Sequence, residues 1–435
     1  MLNIGIAEEI ITPPRGVGLA GYFNKRPNIG VYDQIKVRAI LFELDGVTSG
    51  IVCLDLSSIT KPLFGRILGA IAAEGLEFGE NLILCATHTH TGPTQTDDDV
   101  ETVLVPTAAK VAMAVKRAYD NLAPGEIEFA SIDNNPCGFV RRYWMKDGTV
   151  VTNPGKLNPD IVKPECDFDR KVNVIAFKQE GRIAALAVNL AQHGDTIGGN
   201  FVSGDWMGRL EREVQIALGE DVMVMTPMNA SGNINHFDVS TDRNQTCYAE
   251  ARRIGKEYSL VVLEALKQLR PVEFDKITVK NTTFHYESRK ISPEQLAEAR
   301  KTLEEIPETP EGKGDLTSED LANGNPVVLR RFAKAVINCA EKSIPYRVCR
   351  LTAVELGSEL AFVTLPGEPF NGISTGIQEK SPFKHTVVIE LAQSAANYTP
   401  MPECFERGGY ETRPGTNSSA VDNAPRMIEA SLKNL

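Results

Sequence analysis

The chain has 435 residues, 42% hydrophobic and 24% charged, a balance typical of folded globular proteins and unlike that of disordered ones. Lys and Arg number 46 against 57 Asp and Glu, leaving a net charge of −11. Such an excess repels phosphate backbones and anionic lipid surfaces, which argues against a nucleic-acid partner or stable membrane association. No stretch approaches the about 20 apolar residues of a membrane helix. The start, Met1-Leu-Asn-Ile-Gly-Ile-Ala-Glu-Glu9, carries acids where a secretory signal carries bases. The eight cysteines are scattered without a CxxC pair, the pattern of reduced, packed thiols. Both features point to the cytoplasm.

Strand-like and helix-like runs alternate along the chain. Val37–Leu44 and Ile51–Leu56 read as strands around an Asp45-Gly46 turn, a hairpin signal. Lys61–Glu74 has helical spacing, Asn81–Ala86 is a short apolar strand, and Val105–Leu122 is a helix stopped by Pro124-Gly125. Strands are expected at Glu126–Ile132, Val172–Phe177 and Ile183–Leu190, the last two joined at Glu180-Gly181. Asp205–Leu218 predicts a helix, Val222–Thr226 a strand and Cys247–Leu269 a long helix. After a strand at Lys276–Tyr286, the segment from about 290 to 345 turns charged and helix-prone (Gln295–Glu305, Val328–Glu341), broken by Pro307, Pro310, Gly312 and Gly314. It reads as a helical insertion. Strands resume at Val348–Leu356, Leu360–Leu365 and Thr386–Leu391, and Ala424–Leu432 is a closing amphipathic helix. The expected fold is α/β, with mixed β-sheets packed in layers and flanked by helices. Residues 1–435 are expected to form a single domain carrying that insertion.

The stretch richest in chemistry is Cys85-Ala-Thr-His-Thr-His-Thr-Gly-Pro93, directly after an apolar strand. His88 and His90 are two apart, so on extended backbone both rings project to one side. They suit a divalent metal such as zinc, or equally a pair of capping or surface histidines. His193, in Val188-Asn-Leu-Ala-Gln-His-Gly-Asp195, is presented at a second strand end, where α/β proteins gather their sites. Glu368 follows a strand and a Pro-Gly turn, where a carboxylate can cap a helix or ligate a metal. Met228-Asn-Ala-Ser-Gly-Asn-Ile-Asn-His236 is dense in amides and small residues, and Arg141-Arg142-Tyr143 places positive charge in a mid-chain loop. Tyr398 and Tyr410 stand in a late, Gly-rich region.

In this order, these stretches resemble the catalytic domain of the neutral/alkaline, non-lysosomal ceramidase family. Glu9-Ile-Ile-Thr-Pro-Pro14 with Leu19-Ala-Gly-Tyr22, Thr87-His-Thr-His-Thr-Gly-Pro93, Gln192-His-Gly-Asp195 and Leu365-Pro-Gly-Glu368 carry the likeness, and the tyrosine pair fits the family's late loop. The resemblance implies one zinc ion held by His88, His193, Glu368 and Tyr398, with His90, Arg141 and Tyr410 lining the substrate side. It implies a metal-activated water attacking a carbonyl. Two departures stand out. The family's Gly-Asp-Val-Ser-Pro-Asn, which carries the serine implied in amide cleavage, here reads Gly232-Asn-Ile-Asn-His-Phe237. Asn235 stands at the serine position, and an amide cannot serve as that hydroxyl nucleophile. The family's C-terminal β-sandwich domain also has no counterpart before Leu435.

The expected function is therefore zinc-dependent hydrolysis of an amide, ester or lactone in a small, soluble substrate. A metal-dependent lyase or isomerase acting on a sugar-like or hydroxy acid is the alternative that the missing serine favours. A non-catalytic metal-binding protein on the same scaffold is the third reading. Substrate identity and oligomeric state are not encoded in any motif.

Overall fold

Which face each strand buries follows from side-chain alternation at period two. In β2 (Lys36–Leu44), Val37, Ala39 and Leu41 belong to one core and Ile40, Phe42 and Leu44 to another, all of them buried. A strand apolar on both faces must lie between two layers. The computed structural model, which describes every residue except 220, 221, 309–313, 342, 343 and 395, has that arrangement. The expected breakers Pro310 and Gly312 lie outside the described residues.

The larger sheet takes β1 (Asn3–Ile10), β2, β3 (Val47–Leu54), β4 (Leu82–Ala86), β5 (Ala123–Asp133), β6 (Lys171–Gln179), β7 (Arg182–Asn189) and β8 (Met223–Met225) in the spatial order β8-β7-β6-β5-β1-β2-β3-β4. Pairing is antiparallel except at β3/β4 and β7/β8, which are parallel. One face is covered by α1 (Lys61–Ala73) and α2 (Val105–Asp120) over its first half, and by α3 (Asp205–Leu218) and α4 (Tyr248–Leu266) over its second. The other face packs on a second sheet of β9 (Ile277–Glu287), β10 (Tyr346–Leu356), β11 (Leu360–Thr364) and β12 (His385–Ile389), in sequential order with only β11/β12 parallel. Phe42 stacks there between Phe177 of its own sheet and Phe362 of the other, with ring centroids 6.4 and 6.5 Å away.

Between β9 and β10 the chain forms the helical insertion: α5 (Pro293–Glu305), α6 (Ser318–Ala322) and α7 (Pro326–Glu341). The outer face of the second sheet is closed by α8 (Asn371–Gln378) and, beyond the short α9 (Pro402–Arg407), by α10 (Asn423–Asn434). The result is a helix–sheet–sheet–helix stack, the layered α/β fold expected. All eight cysteines are free, as expected, although Cys166 is exposed rather than packed. Among the described residues no helix is long and apolar enough to cross a membrane.

Two local expectations fail for physical reasons. Pro124 and Gly125 do not stop α2, which already ends at Asp120; they open β5, pairing with Asn3 and Gln179. A strand's first residues tolerate a missing N–H. β1 went unread, although its pairing with both β2 and β5 joins the two halves of the sheet. Its alternating pattern is blurred by Glu8 and Glu9, which pair with Lys36 and with Lys110 and Arg117 at the sheet's end.

A buried ion cluster ties α3 to the first half of the sheet. Arg38 on β2 bonds Asp55 at 3.0 Å and Glu211 of α3 at 2.7 Å. Phe42→Ala is expected to lower stability by about 3–5 kcal/mol, through lost contact in both sheets; urea unfolding monitored by circular dichroism measures it.

Candidate metal centre

The loops that follow β4 and β7 meet. Backbone bonds fix the meeting: the amide of His90 donates to the Gly194 carbonyl at 2.9 Å, and Thr89 bridges to Gly194. His88 departs from the extended backbone assumed for the His-x-His pair, with φ of +64°. The two rings nevertheless meet, their centroids 4.8 Å apart, and His193 lies 4.6 Å from His88.

Both candidate ligand histidines are fixed as tautomers by a carbonyl. Nδ1 of His88 lies 2.7 Å from the Ser57 carbonyl oxygen, and Nδ1 of His193 lies 3.0 Å from that of Ile234. A carbonyl oxygen only accepts, so each Nδ1 carries the hydrogen, and in the neutral ring each Nε2 is left with a lone pair. Those two nitrogens lie 3.4 and 3.3 Å from Oε2 of Glu368. That oxygen is buried and accepts no hydrogen bond from the described residues.

Glu368 reaches this point through a tight turn. Gly367 has φ of +66°, and a Cβ there would come within 2.6 Å of backbone atoms of Ala396 and Asn397, so the close approach requires glycine. Glu368 does not cap α8, whose N-cap is Phe370; it pairs in parallel register with Tyr398. Direct neighbours in a parallel pair project to the same side, which puts carboxylate and phenol together. Of the two roles open to Glu368 in the sequence, the geometry fits the ligand.

Three acceptor atoms, from His88, His193 and Glu368, thus lie within 4.8 Å of one another. Acceptors facing acceptors are stable only with positive charge between them. The electrostatics agree. Burial disfavours a charged His88, but the Glu368 carboxylate overrides it and raises the ring's pKa to about 9. Burial likewise works against an ionised Glu368, yet His88 and His193 hold it well below the usual carboxylate range. What attracts a proton to this point attracts a metal cation equally, and two imidazoles with one carboxylate are a zinc-type donor set.

The other predicted residues gather around these three. His90 Nε2 lies 3.3 Å from His88 Nε2, and burial followed by the neighbouring His88 pushes its pKa well down. The mid-chain loop expected at Arg141-Arg142-Tyr143 is in part a strand: Arg142 opens Arg142–Met145, and both arginines are buried. Arg141 lies 3.2 Å from His193 Nε2, donates to the Gly232 carbonyl at 2.7 Å and faces the Tyr398 ring, 5.0 Å from its centroid. Tyr398 and Tyr410 have ring centroids 6.0 Å apart, and burial pushes both phenols up in pKa against the pull of Arg141. Each keeps its O–H at neutral pH. His88, His90, Arg141, Glu368, Tyr398 and Tyr410 line one cavity of about 760 Å³.

Asn235 is brought near but does not line that cavity. It is fully buried, donates to Asn153 Oδ1 at 2.9 Å and accepts from the Phe237 amide at 3.1 Å. Ser231, just upstream, is buried and bonded through its hydroxyl and its amide to Glu390, whose pKa burial raises to about 8.

Two charged residues beside the site were missed. Glu411 forms an ion pair with Arg141, Nε lying 2.7 Å away, and accepts from Arg142 Nη1 at 2.8 Å, anchoring two consecutive arginines. Asp195 lies on the cavity wall and pairs with His236 at 3.0 Å. Glu411 directly follows Tyr410 and Asp195 comes two after His193, so proximity to the motifs was the one signal available.

The layered α/β scaffold is one that solved structures share. No protein-family profile and no curated protein matches the sequence. In structure, however, the chain is similar to a neutral ceramidase from Pseudomonas aeruginosa at 17% identity and to a ceramidase complexed with C2 at 16%. Each has a TM-score of 0.72 and is matched over 100% of this chain and 74% of its own. The chain thus has the fold of the neutral ceramidases, as the motif series implied.

Glu411→Ala would leave two buried guanidinium groups without their shared partner. The expected cost is about 3–5 kcal/mol, read as a fall in melting temperature.

Proposed function

We propose that the chain is a zinc-dependent hydrolase cleaving an amide, ester or lactone bond in a small polar compound. His88, His193, Glu368 and Tyr398 would be its metal ligands. The observation that carries this reading is the orphaned Oε2 of Glu368, facing two imidazole nitrogens whose tautomers are already set for ligation. The ceramidase fold supports the reaction class. When bound, zinc supplies a Lewis acid and brings the pKa of bound water near neutrality.

The chain's own residues divide the remaining work. Arg141, fixed by Glu411 and Gly232, and Tyr410, an intact phenol, are the donors suited to an acyl oxygen as negative charge develops on it. His90, held neutral, accepts and returns a proton on the substrate side. Asn235 carries no hydroxyl, and neither it nor Ser231 lines the cavity, so neither fits the nucleophile's role and a water molecule would take it. The same absence favours, as a second reading, lyase or isomerase chemistry on a sugar-like or hydroxy acid. Solvent deuterium entering a carbon position without hydrolysis would establish it in place of the first.

His88→Ala and His193→Ala are each expected to reduce zinc, measured by elemental analysis, from one equivalent to near none and to abolish turnover. His90→Ala should retain the metal and lose about 10²–10⁴-fold in turnover; loss of metal there would reverse the assignment of the pair. Asn235→Ser should yield no amidase activity and a lower melting temperature, because it removes the bonds to Asn153 and Phe237.

A further inference from the structure

A buried carboxyl group outside the cavity has no part in the chemistry proposed above. Glu390 directly follows β12, is 0% exposed and forms no ion pair among the described residues. Both of its oxygens turn to one residue. Oε2 accepts from the Ser231 amide at 2.9 Å, and Oε1 accepts from the Ser231 hydroxyl. A carboxyl group withdrawn from water carries a large desolvation cost, and what that achieves here is a fixed position for Ser231.

Ser231 opens the turn that supports two of the proposed ligands. Its carbonyl accepts from the Ile234 amide at 2.8 Å, and the Ile234 carbonyl in turn accepts from Nδ1 of His193 at 3.0 Å. The next residue, Gly232, donates its amide to the Pro369 carbonyl at 2.9 Å. Gly232 lies so close to Glu368 that a Cβ would come within 2.4 Å of that residue's carbonyl oxygen.

The backbone beside Glu390 reaches the third ligand. Leu391 has φ of +52°, a left-handed conformation that leucine rarely adopts and that concentrates at functional sites. Its amide donates to the Gly367 carbonyl at 3.0 Å, at the turn into Glu368. Its carbonyl accepts from the Ala86 amide at 3.3 Å, two residues before His88. Gln393 extends the junction, its amide donating to the Leu84 carbonyl of β4 at 2.8 Å. The segments carrying His88, His193 and Glu368 are thus all tied to Glu390 and Leu391, where the chain leaves the second sheet and joins the edge strand of the first.

We propose that Glu390 is a positioning residue of the metal centre. By holding Ser231 it sets the span between His193 and Glu368, and zinc affinity depends on it although it does not line the cavity. This role rests on the zinc ligands proposed above and not on the reaction assigned to them.

The test is a zinc titration of the full, metal-free chain against a chromogenic chelator, well below the unfolding temperature. Glu390→Met keeps the reach of the side chain and removes both acceptors; it is expected to weaken zinc binding about tenfold or more. Glu390→Gln offers a carbonyl to the Ser231 amide and an N–H to the hydroxyl oxygen, and should bind within about threefold of the unmodified chain. Ser231→Ala, a milder change that decides the matter even where Glu390→Met does not fold, should lose at least about fivefold. Phe42→Ala is the control for stability alone: it lowers the melting temperature far from the centre and should keep full zinc affinity. Zinc binding by Glu390→Met or Ser231→Ala as tight as in the unmodified chain overturns the proposal. So does a loss in Glu390→Gln equal to that in Glu390→Met, or a comparable loss in Phe42→Ala, which would make affinity a mere reflection of stability. Absence of zinc binding by the unmodified chain removes the ligand set and this role together. Tight zinc binding without turnover of any amide, ester or lactone leaves the role standing and removes only the hydrolase reading.

Discussion

Two backbone carbonyl oxygens, those of Ser57 and Ile234, govern the chemistry available to this molecule. By taking the Nδ1 hydrogens of His88 and His193, they aim both Nε2 lone pairs at a carboxylate oxygen with no donor of its own. Either carbonyl could be lost without removing a ligand, yet the ring behind it would be free to rotate or change tautomer. The carbonyls come from the segment following β3 and from the short Ile234–Asn235 strand, so the ligand geometry is set by how these segments are stitched together.

The layered fold makes that stitching possible. β4 and β7 lie in different halves of the larger sheet, and the loops beyond them are joined by backbone bonds from Thr89 and His90 to Gly194. The second sheet delivers Glu368 from behind, through a glycine turn that presses against the Tyr398 strand. Each ligand thus arrives on a different layer or half-layer. Burying the ligands costs the protein polar satisfaction, and the carbonyls, Arg141 and Glu411 restore it.

Much of this was legible in the sequence because it is written locally. A His-x-His after an apolar strand, a histidine at a second strand end and a Pro-Gly-Glu turn are short patterns. The hairpins at Asp45-Gly46 and Glu180-Gly181 and the helix Asp205–Leu218 are equally local, and the structure has them at those places. What stayed hidden is non-local. The burial of Arg141 and Arg142 depends on Glu411 and Glu165, the first of them some 270 residues away, so composition around the arginines gave no sign of it. β1 was missed because its pattern is interrupted by Glu8 and Glu9, acids that make sense only once Lys36, Lys110 and Arg117 are seen beside them.

Tyr410 belongs at once to the reaction chamber and to the apolar cluster of the insertion, where Phe23 and Phe332 pack on it at 6.2 Å. Exchanging that helical segment for one of different length or composition would therefore not merely resize the chamber. It would shift the phenol itself, so selectivity and turnover would be inherited together, and an engineer grafting a new roof would have to rebuild the tyrosine's footing as well.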